Sequence, residues 1–380
     1  MKIYKLKLAF LWLIAGGLFL SSCSHDKYPL PSIPNVEDRY SNIGKTVYNL
    51  VYPIWDSHNG YNFGHPADIY FGVDNFLYVC DTDNNRIIML DAGGAIQGYS
   101  QFIPHPEAIT QDDSLNLLIV NKTNKIFKID LYHNNHLIAN APIDTVFEQR
   151  SEPTRQFTGI TVHNGFEYYV TVVDVADSGS NYLEFSFIYD FNANHNLKGP
   201  LPLYVNGTGL FSAILPTAIV SYRERYLDIS KTSEDSPGFW FTQTGRTSLL
   251  YNSFKIQDVT TRRMEGQDML VPNTGFIGTD IYNSDYFWNP EDIALDRQGF
   301  IFVIDAGRSM SDPDTTLPAP GFYRFSPTGA ILQKVTGLGT GDKQFNNPKG
   351  IAVSPFLEDQ TVYIADTGNN RILMFRLSTQ

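Results

Sequence analysis

Six short motifs bring acids, imidazoles and an amine to equivalent places in this chain: PADI at Pro66, PEAI at Pro106, FTGI at Phe157, PTAI at Pro216, PEDI at Pro290 and PKGI at Pro348. The polar residues in and just before them are His65, Asp68, His105, Glu107, Asn289, Glu291, Asp292 and Lys349. Carboxylates suit calcium, and paired imidazoles suit zinc or another transition metal. His65, Asp68, His105 and Asp292 are therefore the candidate ligands of a divalent cation, calcium or zinc. A metal held there would polarise an oxygen or activate water. The plainer alternative is that these residues satisfy strand-end backbone groups and channel water. A nucleophile elbow, a phosphate-cradling glycine loop, a cysteine-pair metal motif and a catalytic triad spacing are all absent from the sequence.

The motifs recur because the chain itself repeats. Residues 348–375 read as two short apolar runs, GIAV and TVYIAD, a polar turn, DTGNNR, and a third run, RILMF, which is the pattern of three antiparallel strands. Residues 66–96 carry the same unit with DTDNNR as the turn, and residues 290–308 keep it as far as Asp305 before an insertion. A period of about 40 residues with four short strands signifies propeller blades. These copies resemble the NHL repeat, and the one at 348–375 is nearly a consensus example. That resemblance implies the fold and leaves the activity open, because the family includes lyases, protein-binding modules and RNA-binding modules. In the amidating lyases of the family, channel-facing histidines hold a catalytic zinc. Here only His65 and His105 are similarly placed, with Asn289 and Asn347 at the corresponding positions, so a three-histidine site is not assembled.

The six motifs predict an all-β, six-bladed β-propeller over residues 45–380. The last repeat stops after its third strand, so the N-terminal strand TVYNLVYP, beginning at Thr46, is expected to complete the last blade and close the ring. Blades 3 and 4 are the degenerate ones. The DTDNNR and DTGNNR turns lack the closing glutamate of a calcium loop, and read as tight turns whose Asp caps backbone amides. Their arginines, Arg86 and Arg371, are expected to brace neighbouring blades. Phe63, Phe345 and either Phe287 or Trp288, each just before a motif proline, are expected to plug the space between blades. The loops that enter each first strand and those that join second to third lie on one face. The 174–181 and 305–321 loops lengthen that face. Trp55, Tyr282 and Tyr286 fall on its connections and are candidate platforms for a glycan.

Residues 1–22 carry Lys2, Lys5 and Lys7, an apolar run from Leu8 to Leu20 and then Ser21, Ser22 and Cys23. This is the plan of a signal peptide, and its ending resembles a bacterial lipobox, which implies cleavage before Cys23 and acylation of its thiol. Residues 23–44 hold three prolines without periodicity and read as a tether. Ser24 after the cysteine is what the lipoprotein rule expects of outer-membrane anchoring, facing the periplasm or the surface. Removing the leader leaves 25 basic against 40 acidic residues, which argues against nucleic acid as a partner. These readings favour a lipid-anchored binding or scaffold module for a protein or glycan partner, held on the face with the 305–321 loop, over an enzyme. The alternative is a metal-assisted lyase or lactone hydrolase working at the channel mouth.

Overall fold

The computed structural model describes residues 46–176, 186–201, 213–225, 238–244, 254–264, 267–358 and 360–379. The leader, Cys23, the tether and most of the 174–181 loop lie outside the described residues. The described strands form six antiparallel four-stranded sheets, one per blade. Middle strands such as Phe76–Asp81 (FLYVCD) and Thr361–Asp366 (TVYIAD) are rich in β-branched and aromatic residues and are buried almost throughout. Each blade is packed between two others, so its middle strands need apolar side chains on both faces. Outer strands such as Ile96–Tyr99 and Ile331–Thr336 meet solvent and lose that pattern.

The core is accordingly a set of wedges between adjacent blades. Trp55, Phe63, Ile69, Tyr363 and Ile372 fill the wedge between blades 6 and 1. Tyr78, Cys80, Ile109 and Ile119 fill the one between blades 1 and 2. Each fully buried aliphatic side chain contributes about 1.5–3 kcal/mol. Phe63, Phe287 and Phe345 are all buried plugs, as expected, and Phe287 rather than Trp288 fills the blade 5 position.

The N-terminal strand Thr46–Trp55 pairs antiparallel with the last strand, Arg371–Thr379, with Leu50 opposite Phe375. It supplies the fourth strand of the last sheet and closes the ring. Gln333 of blade 5 locks it in place. Its amide donates to Tyr48 O at 2.9 Å, and its Oε1 accepts from Tyr48 N at 2.7 Å.

The Asp/Asn turns are tight, as expected. Asn85 and Asn370 take left-handed backbone (φ 56° and 53°), which asparagine tolerates. Asp81 and Asp366 cap backbone amides of the incoming loop at Gly64 and Asn346. The arginines depart from expectation. Arg86 and Arg371 ion-pair inside their own blades, with Asp81 at 2.7 Å and Asp366 at 2.8 Å, and Arg371 also donates to the carbonyls of Thr340, Gly341 and Gln344 in the connection from blade 5. Bracing between blades falls instead to threonine hydroxyls. Thr82 donates to Pro106 O, Thr367 to Pro66 O, Thr158 to Pro216 O and Thr217 to Pro290 O, each at 2.7 Å.

Candidate functional site

The innermost strands of the blades include Pro66–Phe71, Ala108–Gln111, Arg155–Asn164, Pro216–Ser221, Pro290–Leu295 and Gly350–Val353. Four of them, in blades 1, 3, 4 and 5, carry a bulge at the opening motif. In blade 1, Pro66 pairs with Asp81 but Asp68 with Cys80, so Ala67 is an extra residue. In blade 5, Pro290 pairs with Asp305 and Asp292 with Ile304, leaving Glu291 extra. Thr158 is the extra residue in blade 3. A bulge re-aims the side chains around it, and here it sets Asp68, Glu291 and Asp292 in the channel wall.

Asp68 and Asp292 are built alike. Asp68 accepts from its own Ile69 N at 2.7 Å and from Ile109 N of blade 2 at 2.9 Å. Asp292 accepts from Ile293 N at 2.7 Å and from Ile351 N of blade 6 at 2.8 Å. Blade 6 stands between their blades, and its residue at this level is Gly350. A Cβ there would lie 2.7 Å from Asp68 Cα and 2.9 Å from Ile69 N, so only glycine lets the inner strands approach this closely. The Asp68 and Asp292 carboxyls line the same cavity, with Gly350 between their strands. Burial pushes the Asp68 carboxyl up to about 6; the Ile109 and Ile69 amides oppose the rise, the Glu107 charge adds to it, and Asp292 offsets part of it.

One level nearer the mouth lie Glu107, Lys122, Glu291 and Lys349. Glu107 accepts from Lys122 Nζ at 2.8 Å, and Lys349 Nζ stands 3.8 Å from the same Oε2. Blade 1 lies between blades 6 and 2, and its small Ala67 at this level leaves the gap across which Lys349 approaches Glu107. Burial alone would lower the Lys122 ammonium, but the charge of Glu107 and its hydrogen bond outweigh that and hold it above its ordinary value. Burial pushes Glu291 up, against the pull of Lys349 and Lys122. These residues, with Asp68, Asp292, Thr158, Thr217 and Thr244, line a cavity of 190 Å³.

The structure thus brings together Asp68, Glu107, Glu291, Asp292 and Lys349 from the sequence-predicted set, and adds Lys122. Lys122 stands in the blade 2 turn where blades 1 and 6 have Thr82 and Thr367. Its signal was the loss of the repeat turn in that blade.

The remaining candidates are elsewhere. His65 and His105 occupy left-handed turn positions (φ 47° and 42°) and are exposed, with the His65 ring 2.5 Å from Asp83. His65, Asp68, His105 and Asp292 do not converge. Among the described residues no group of three or more His, Cys, Asp or Glu side chains is arranged to hold a metal ion. Asp68 and Asp292 each accept from two backbone amides, and Glu107 accepts from Lys122. The aromatic platforms are also corrected: Trp55 (0% exposed) ends the N-terminal strand and fills the wedge between blades 6 and 1, and Tyr282 (4%) sits on a connection that folds back into the core. Tyr286 is half-buried, and its carbonyl accepts from Tyr323 Oη at 2.9 Å.

No family model and no curated protein matches the chain. Its fold is similar to that of solved propellers. A luciferin-regenerating enzyme aligns over 87% of this chain and 95% of its own at 9% identity and a TM-score of 0.54. A gluconolactonase from Xanthomonas campestris aligns over 88% and 97% at 11% identity and 0.53. The calcium-binding protein regucalcin from Agrobacterium tumefaciens aligns over 84% and 92% at 11% identity and 0.51. At these identities the likeness is one of fold. Enzymes recur among these propellers, and two of the three expected glycan platforms are core residues. The expectation of a scaffold without catalytic activity is therefore set aside.

Proposed function

We propose that this propeller is a lactone hydrolase whose active site is the channel vestibule. The observation that carries the reading is the cavity in which the carboxyls of Asp68 and Asp292 stand beside the ammonium groups of Lys122 and Lys349. A carboxyl held near 6 is poised for general acid–base work close to neutral pH. In the proposed step the ionised member of the pair takes a proton from water, whose oxygen bonds to the lactone carbonyl carbon. The carbonyl electron pair moves onto oxygen, facing an ammonium that stabilises the developing charge. On collapse the carbonyl re-forms, the ring C–O bond breaks and the protonated carboxyl donates to the leaving ring oxygen. The product is an open hydroxy acid, with one proton again on the pair. Gluconolactonase among the fold neighbours supports a lactone as substrate class. The repeat turns support an NHL-type origin, and Cys23 supports tethering to the bacterial envelope.

The test is proton release from five- and six-membered lactones at constant pH, measured above the spontaneous rate. Wild type should turn them over, and Asp68→Asn and Asp292→Asn should each lose about 10²–10⁴-fold while keeping the wild-type circular dichroism spectrum. Turnover unchanged in both folded variants, or none by wild type across the panel, overturns the proposal.

A further inference from the structure

The aspartate pair lines two cavities. On the far side of Asp68 and Asp292 from the lysines, the channel continues into a second space of 100 Å³. Six isoleucines border it, one at the same motif position in every blade, from Ile69 to Ile351, and past them come Phe71, Val162, Val220, Leu295 and Val353. The polar side chains in this wall are already engaged. Gln111 bonds Asp74 and Val73 N, Asp112 accepts from Ser114 N and Asn116 N, and Arg223 pairs with Asp113. Arg297 is exposed at the rim. The two halves of the channel therefore offer opposite chemistry on either side of one reactive pair.

We infer that the substrate is a lactone bearing an aliphatic side chain, with its ring in the lysine-lined vestibule and its chain in the isoleucine-lined half of the channel. The inference rests on the lactonase reading for the ring and on the cavity walls for the chain. A small polyhydroxylated ring would find partners only on the vestibule side. An alkyl chain passing the pair loses no hydrogen bond, and each methylene removed from water gains affinity about fourfold.

Binding of inert lactams separates this from the catalytic reading. The full-length protein is titrated calorimetrically with 2-pyrrolidinone and its 5-methyl, 5-propyl and 5-pentyl derivatives, as wild type, Ala294→Leu and Ala294→Phe. Ala294 lines the far cavity and has no part in the proposed chemistry. Affinity should climb about fourfold per methylene in wild type, less steeply in Ala294→Leu, and not at all in Ala294→Phe, whose affinity for the unsubstituted lactam should match wild type. Flat or undetectable binding along the series, or a climb that persists in folded Ala294→Phe, overturns the inference. Chain-dependent binding without any lactone turnover would uphold the apolar site and refute the hydrolase alone.

Discussion

Asp305 in blade 5 is the repeat aspartate without its arginine. In blades 1 and 6 the equivalent carboxylates pair with Arg86 and Arg371, five residues on. In blade 5 an insertion follows Asp305, and Arg308 Nε has no hydrogen-bond partner. Asp305 is fully buried and accepts from Trp288 N at 2.6 Å, Asn289 N at 2.9 Å and Gly307 N at 2.6 Å. Burial nonetheless pushes it from 3.8 to about 6; the three amides oppose the rise and the Glu291 charge adds to it. A raised carboxyl binds its proton more tightly in the folded chain, so its contribution to stability is present at low pH and lost as pH rises from about 4 through 6. A shift of about two units corresponds to about 3 kcal/mol at full ionisation. Asp305→Asn removes this titration but aims an amide NH₂ at Trp288 N, at a pH-independent cost of about 1–3 kcal/mol. In urea unfolding at pH 4.5, 6 and 7.5, the variant should therefore be clearly less stable than wild type at pH 4.5, and the gap should narrow by about 2–3 kcal/mol by pH 7.5. A gap that stays constant or widens with pH would refute the account of Asp305.

The pair at the active site makes a kindred prediction for rate: kcat/KM for a lactone should rise as pH passes about 6, where Asp68 gives up its proton and becomes the member that accepts from water, and a profile flat from 5 to 8 contradicts that role. Lys122→Met should lower kcat by about 10²–10³ with little change in KM; an effect confined to KM would make Lys122 a binding residue only. Exhaustive dialysis against a chelator should leave turnover unchanged, since no step is assigned to a metal, and activity lost on dialysis and restored by calcium or zinc would reverse that assignment. Thr367→Val removes the hydroxyl that joins blade 6 to Pro66 O and should cost about 1–3 kcal/mol in urea unfolding; a change below about 0.5 kcal/mol would mean the carbonyl finds another donor.

The ring was legible because five of the six motifs keep their proline, and blades 1 and 6 keep two apolar runs and an Asn turn that needs left-handed backbone. Its closure was legible because the last repeat ends one strand short. What the repeat did not disclose was direction. His65 and Asp68 are three residues apart, yet His65 turns outward to Asp83 while the bulge at Ala67 sends Asp68 to the channel. Trp55 and Tyr282 read as connection residues on the surface, but Trp55 ends a strand and the wedge between two blades is wide enough to need both as filling. Lys122 escaped notice because it sits in a turn that had lost its consensus.

Function in this propeller follows from where the repeat is broken, and the breaks come in complementary sizes. A carboxyl in blade 5 and one in blade 1 line one cavity because blade 6 offers Gly350 between them. An ammonium in blade 6 approaches a carboxylate in blade 2 only across Ala67 of blade 1. A channel lined by six identical motifs would place like groups side by side and hold them apart by charge. Alternating long polar residues with glycine and alanine instead lets groups from non-adjacent blades meet. Enlarging Gly350 to alanine should therefore push the strand of Asp68 aside, since the added Cβ would meet Asp68 Cα at 2.7 Å; with the offsetting influence of Asp292 lost, the pH–rate bend should move above 6. If Gly350→Ala folds and the bend stays where it is in wild type, the aspartates do not depend on that gap.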